Sequence, residues 1–294
     1  MSKQILLTGA TGYLGSHLAN ALLDAGYNVV ALKRKTSLLR RLELILPRIT
    51  LLDVDGIDLR ALFKDYGKFD AVIHTAAAYG RNGENASEIA DANLSLPLKL
   101  LDAAVEMDVP LFFNTDTALD RFLNAYSLSK TQFAEWGSYF ARQKKIRFLN
   151  LKLEHFYGPG DANTKFTTHV INSCLRNAPE LKLTLGEQKR DFIFIDDVVS
   201  VYLVLLEQQE SLTDWFMEFD VGSGESVSIR QFVETTQRLT ASKTHLAFGA
   251  LPYREGEMMH SQADISGLTA LGWHCRYDLE TGLKQVIEQE RGQA

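Results

Sequence analysis

Residues 4–26 read QILLTGATGYLGSHLANALLDAG. A short apolar run gives way to three glycines, Gly9, Gly12 and Gly15, and these open an amphipathic helical pattern that Gly26 should stop. A backbone without Cβ can turn tightly and come close to a pyrophosphate. The helix N-terminus beyond it offers N–H groups and the positive end of a dipole. A glycine triplet alone is a weak sign. One set between a strand and a helix, ahead of a second strand, predicts a dinucleotide-binding turn and with it an open α/β sheet.

The rest of the first half keeps that rhythm. Apolar runs without polar alternation occur at 28–32, 49–54, 71–77, 110–115 and 147–153, as expected of strands buried on both faces. Helical patterns lie between them, notably at 96–107 and 129–143. The alternation predicts an α/β chain with a doubly wound parallel sheet, a Rossmann domain, over residues 1–160. Past the turn-rich YGPGD (157–161) the regularity fades. Helical stretches follow at 164–177, 196–208, 228–240 and 279–291, with a short strand at 181–186. Residues 161–294 are expected to form a smaller mixed α/β substrate-binding cap, with some segments returning to the first sheet.

Composition excludes other classes. The net charge of −6 gives no basic field for a nucleic acid polymer, and the clusters KRK (33–35) and RQKK (142–145) are short. No apolar run approaches the roughly 18 residues of a membrane span, and MSKQ leads into ILLTGATG without a charged-then-apolar leader. Cys174 and Cys275 stand far apart, and the seven histidines lack metal-binding spacing. Neither a disulfide framework nor a metal site is expected, and a reducing cytoplasm is the default location.

The glycine spacing is GxxGxxG rather than GxGxxG. It resembles the extended branch of the short-chain dehydrogenase/reductase superfamily, the NAD-dependent epimerase/dehydratase family. The resemblance implies cofactor contacts from Gly9, Thr11, Gly12, Tyr13, Leu14 and Gly15, and from Ala76 and Ala77 in HTAAAYG (74–80), where His74 is expected to be packed. The second strand ends in ALKRK. An acid there would bind the ribose 2′-OH of NAD, whereas a cation accommodates a 2′-phosphate, so Lys33 and Arg34 favour NADP(H) over NAD. Asp53, ending the third strand, resembles the family's adenine contact; a loop or helix cap is its other reading.

FFNTD (112–116) sets Thr115 at the carboxyl end of a strand, where ligands bind in open α/β sheets. NAYSLSKTQF (124–133) sets Tyr126 and Lys130 four apart on one helix face. Together they match the family's Ser/Thr–Tyr–Lys set. Carbonyl reduction needs a hydride on carbon and a proton on oxygen. A free tyrosine titrates at about 10, and a nearby ammonium lowers that value. Tyr126 is therefore expected to donate the proton, Lys130 to tune it while contacting the nicotinamide ribose, and Thr115 to hold the carbonyl. Asn93 resembles the family's helix asparagine near the site, or serves as a structural hydrogen-bonding group.

LKLEHFYGPGD (151–161) resembles the segment after the sixth strand, with Lys152 and His155 replacing the usual Arg and Asn. His155 is thereby implied at the nicotinamide. GEQKRDFIFIDDVV (186–199) and YREGEMMHSQAD (253–264) resemble segments from which Arg190 and Arg254 would clamp a diphosphate; a structural salt bridge is the other reading of each. Tyr79, Asp116, Lys165 and Phe166 complete the implied substrate contacts, with Asp116 equally able to cap the next segment. DANLSLPLKLLDAA, NTD and LEHFYGPGD bring the chain nearest to the CDP-abequose/CDP-paratose synthase group. That likeness implies NADPH-dependent reduction of the 4-keto group of CDP-4-dehydro-3,6-dideoxyglucose for O-antigen sugars, by a homodimer paired through 96–107 and 129–143. A dehydratase of this branch carries Thr-Asp-Glu; Thr115-Asp116-Thr117 lacks the Glu, which disfavours dehydration. A 4-epimerase with retained NAD uses the same three residues. A cofactor-binding sensor without chemistry would typically lose the Tyr–Lys pair.

Overall fold

The computed structural model describes residues 3–81 and 83–292. In chain order its elements are β1 (Gln4–Thr8), α1 (Tyr13–Asp24), β2 (Asn28–Lys33), β3 (Thr50–Asp53), α2 (Leu59–Tyr66), β4 (Ala71–His74), α3 (Ala86–Ala90), α4 (Leu96–Glu106), β5 (Leu111–Thr117), α5 (Ala125–Arg142) and β6 (Arg147–Leu153). There follow β7 (His155–Tyr157), α6 (Phe166–Leu175), β8 (Glu180–Leu183), β9 (Lys189–Phe194), α7 (Ile195–Glu207), β10 (Phe216–Val221), β11 (Ser226–Ser228), α8 (Ile229–Thr240), β12 (His245–Phe248), α9 (Ser266–Ala270) and α10 (Leu279–Gly292). Two compact units result, Met1–Lys152 with Tyr202–Phe219, and Leu153–Val201 with Asp220–Ala294.

The first unit is built on a seven-stranded sheet of order β10-β6-β5-β4-β1-β2-β3. The pairs from β3 through β1 to β5 run parallel. The order reverses between β1 and β4, whose carboxyl ends meet at the register pair Thr8–His74. That reversal opens a crevice where α/β sheets take their ligands. Ile5, Leu6, Leu7, Val72, Ile73, Phe112 and Phe113 of the central strands are fully buried. Each large apolar side chain there contributes about 1.5–3 kcal/mol by leaving water, which is why these runs carry no polar alternation.

Two helices begin earlier than their sequence patterns indicate. The helix expected at 96–107 starts at Ala86, where Asn85 and Glu88 form a reciprocal capping box. It continues through a π-helical turn, Asp91–Ser95, into α4. Pro97 near the start of α4 has no N–H to give back, and the wider turn takes up the missing bond. Helix α5 begins at Ala125 because the Asn124 side chain caps it, accepting from Ser127 N at 2.9 Å. This start fixes Tyr126 in the first turn and Lys130 one turn on.

The second unit holds a three-stranded sheet of order β11-β9-β7, a parallel β8–β12 pair, and helices α6, α8 and α10. Its core is aromatic, with the Phe192 and Phe232 rings 4.4 Å apart and Tyr157 edge-on to Phe194. Two fully buried carboxylates are satisfied by backbone N–H groups: Asp191 accepts from Ser223, Gly224 and Ala263, and Asp197 from Arg276 and Tyr277. Among the described residues no helix is long and apolar enough to cross a membrane.

Candidate active site

The three glycines of the turn do different work. Gly9 has φ of +77°, and a Cβ there would lie 2.6 Å from Ala76 N, so the β1 and β4 loops touch backbone to backbone. A Cβ on Gly15 would fall on the Gly9 carbonyl group, 2.6 Å from its carbon. At Gly12, in contrast, a Cβ would meet only the Gly9 oxygen at 3.1 Å, and the residue is exposed. The protein itself constrains that position far less than Gly9 or Gly15, through one tight approach to a backbone oxygen. The space it leaves lies before the N-terminus of α1, which no side chain caps and whose first turn holds no acid. An open cradle at the positive end of the α1 dipole fits a pyrophosphate, so the residues present suit a dinucleotide. Thr11, Ala76 and Ala77 are half-buried around the turn, Ala76 N donating to Thr8 Oγ1 at 3.4 Å. The Leu14 side chain is buried, which leaves only its backbone to a ligand. The Tyr13 ring sits under Arg41, 5.2 Å away. His74 is packed as expected, 2.8 Å from Thr8 Oγ1, and burial holds it neutral.

Lys33 and Asp53 end paired strands at the same register and form an ion pair with each other. The sequence had assigned them separately, to a 2′-phosphate and an adenine. Arg34 beside them is exposed.

Lys130 is 1% exposed and donates to Asn114 Oδ1 at 3.3 Å. Burial lowers its pKa to about 8, against the opposing pull of Asp116. The Tyr126 phenol is held well above its usual range, chiefly by burial, then by Tyr79 and Asp116; a hydrogen bond with the Thr117 side chain and the charge of Arg81 act the other way. This reverses the expectation that Lys130 lowers the phenol. The amine is directed at Asn114, and desolvation of the phenolate dominates. Tyr126 is thus protonated at neutral pH, as a proton donor must be. The Tyr79 ring lies 4.8 Å from it, with Arg81 5.1 Å from the Tyr79 centroid. Thr115 Oγ1 lies 2.6 Å from the Tyr202 hydroxyl.

Asp116, read either as near the substrate or as a cap of the next segment, faces a buried amide network, because strand alternation turns it away from Thr115 and Thr117. Its Oδ1 accepts from Thr117 N at 2.8 Å and its Oδ2 from Asn150 Nδ2 at 2.9 Å. Asn150 also donates to Glu218 at 2.9 Å and accepts from Asn114 at 2.7 Å. Lys130, Asn114, Asn150 and Asp116 therefore form one chain of hydrogen bonds under the site. Asn93 is fully buried in the π turn and holds both Ala78 N and Ala78 O, at 2.7 and 2.8 Å. It fixes the loop that carries Tyr79.

In the second unit Arg190 is buried and ion-paired with Glu257, the salt-bridge reading of the two left open. Arg254 is exposed. Lys165 precedes α6 with its amine 4.7 Å from the Phe156 ring centroid, and Phe166 is 39% exposed. His155 opens β7, 3.4 Å from the Glu154 carboxylate and edge-on to Phe192.

Sequence reasoning passed over Tyr202, Arg81, Asn114 and Asn150. Asn114 and Asn150 carried a signal, since each is a lone amide inside an apolar strand run, a residue that must find a buried partner. Tyr202, 87 residues from Thr115, carried none.

Residues 5–216 match the model of the NAD dependent epimerase/dehydratase family. Over 98% of this chain and 99% of the relative, the protein is 34% identical to CDP-abequose synthase of Salmonella typhimurium (strain LT2). It is 32% identical to CDP-abequose synthase of Salmonella muenchen over 99% of both chains. Among solved structures, MoeE5 in complex with UDP-glucuronic acid and NAD superposes with a TM-score of 0.82 and 25% identity, covering 99% of this chain and 100% of that one. The glycine turn and these likenesses agree: the chain belongs to the NAD dependent epimerase/dehydratase family, the extended short-chain dehydrogenases/reductases, and is an NAD(P)-dependent enzyme.

Proposed function

We propose that the protein uses NADPH to reduce the 4-keto group of a nucleotide-linked deoxysugar, with CDP-4-dehydro-3,6-dideoxy-D-glucose as substrate and CDP-abequose or CDP-paratose as product, in the cytoplasm. One observation carries the reading: a half-buried Tyr126 phenol in the first turn of α5, in a chain whose β5 ends in threonine at 117, where a dehydratase would place a second acid. The full-length likeness to CDP-abequose synthases supports the sugar. Bound NADPH supplies the hydride. Thr115 holds the keto oxygen and Tyr126 gives it a proton, while the Lys130 ammonium contacts the nicotinamide ribose. Arg190 and Arg254 take the diphosphate, which for Arg190 replaces one anion, the Glu257 carboxylate, with another. Tyr79 in the first unit and Lys165 and Phe166 in the second are read as further substrate contacts, and His155 as a nicotinamide contact. Trp136 and Tyr139, exposed on α5, suit the homodimer face of the same reading. NADPH consumption against a panel of 4-keto nucleotide sugars tests the proposal. Oxidation with the CDP sugar supports it, and binding without turnover across the panel refutes it.

Two expectations follow. Arg34, exposed next to an already paired Lys33, is a cation open to the 2′-phosphate. Arg34→Ala should raise KM for NADPH about tenfold, roughly one charge-assisted hydrogen bond, and leave KM for NADH unchanged. Steady-state kinetics with both cofactors checks this. Lys130 sets the pH dependence. Its folded pKa of about 8 lies below its ordinary value, so the required ammonium is lost as pH rises through about 8. A plot of kcat/KM for reduction should fall above that pH. The linkage has the opposite sign for stability: the native state binds fewer protons than the unfolded chain between about 8 and 10.5, so the burial penalty of Lys130 fades there.

A further inference from the structure

The mechanism above makes no use of Tyr202. Its side chain is completely buried on α7, its ring 5.9 Å from that of Phe113 and its hydroxyl 2.6 Å from Thr115 Oγ1. Which oxygen donates is decided by counting protons. If Thr115 donated, the phenolic proton would be left in the interior without an acceptor among the described residues, a group that is costly to bury. If Tyr202 donates, its proton is satisfied. Thr115, which is only half-buried, then keeps its own proton to direct elsewhere. Burial also keeps the Tyr202 phenol protonated well beyond neutral pH. A hydroxyl that accepts one hydrogen bond becomes a better donor of the next.

We infer that Tyr202 is a positioning residue: by donating to Thr115 Oγ1 it turns the threonine hydroxyl into a fixed hydrogen-bond donor to the substrate's keto oxygen. The inference rests on the proposed reading, in which Thr115 holds that oxygen. One face of β5 would then carry two tyrosine–threonine pairs of different duty. Tyr126 with Thr117 gives up a proton, and Tyr202 with Thr115 aims one.

The experiment is a double-mutant cycle on NADPH-dependent reduction of the CDP-4-keto sugar, using Tyr202→Phe, Thr115→Val and the double variant, with Thr115→Ser as the conservative rescue. Thr115→Val should lower kcat about 100-fold, as loss of an oxyanion donor does. Tyr202→Phe, which keeps the ring, should lower kcat about tenfold with KM for NADPH and the pH profile unchanged. In the Thr115→Val background it should cost nothing further, and in Thr115→Ser it should again cost about tenfold. Tyr202→Met repeats the test without the hydroxyl should the Phe variant fold poorly. Equal losses in both backgrounds, or full kcat in Tyr202→Phe, would overturn the inference while leaving the reductase reading intact. A wild-type protein inert toward every 4-keto sugar would remove the reading itself and the inference with it.

Discussion

Replacing Tyr126 by phenylalanine is expected to lower kcat for reduction by about 10²–10⁴-fold, the usual worth of a positioned general acid. The substitution removes one oxygen. The ring keeps its packing on Tyr79, and the Asn124 cap that starts α5 is untouched. NADPH binding, measured by fluorescence titration, should be unchanged, so the loss falls on the chemical step. The β5 groups beside it cannot replace the phenol. The Thr117 hydroxyl is a far weaker acid, and Asp116 is committed to Asn150 and to the Thr117 backbone. Near-full turnover in Tyr126→Phe would remove the proton donor from the account.

Gly15→Ala should have the largest effect on folding. Its Cβ would press on the Gly9 carbonyl group and lie 3.0 Å from Ala10 Cα. All of these are backbone atoms, so no rotamer change can relieve the overlap. A cost on the order of 3 kcal/mol is expected, read as a lower Tm and as loss of NADPH binding. Gly12→Ala is the informative contrast. There a Cβ meets one backbone atom at 3.1 Å and otherwise open space, so Tm should fall far less than in Gly15→Ala. NADPH affinity should nevertheless drop by about tenfold, because the added methyl group occupies the room a pyrophosphate needs. If both variants lost stability alike, glycine at position 12 would be structural and the cradle reading would fail.

The pair also shows what could be read from the sequence. The strand–turn–helix arrangement at 4–26 was legible because period, length and glycine placement agree locally. The six apolar runs were legible for the same reason, since β1, β2, β4, β5 and β6 are largely buried and need no long-range information to look apolar, while the edge strand β3 is at most half-buried. Helix starts were read late where a capping asparagine, Asn85 or Asn124, precedes the first strongly apolar turn. At the site the residue types were legible, but their electrostatics were not. Spacing put Tyr126 and Lys130 on one face, and it could not show that Lys130 is aimed at Asn114 or that burial outweighs its charge at the phenol. The Lys33–Asp53 pair, and the identity of the partner in the salt-bridge reading of Arg190, escaped for a related reason. Each pair joins segments distant in sequence, so each cation looked available to a ligand.

The central claim is a net transfer of hydride from NADPH to C4 of a nucleotide-linked sugar. It is tested most directly with NADPH carrying deuterium at the nicotinamide C4 position, CDP-4-dehydro-3,6-dideoxyglucose as acceptor, and NMR of the product. The account predicts deuterium at sugar C4 in equal amount to the NADPH oxidised, with release of NADP. Interconversion of 4-epimers with a retained cofactor and no label at C4 would contradict it.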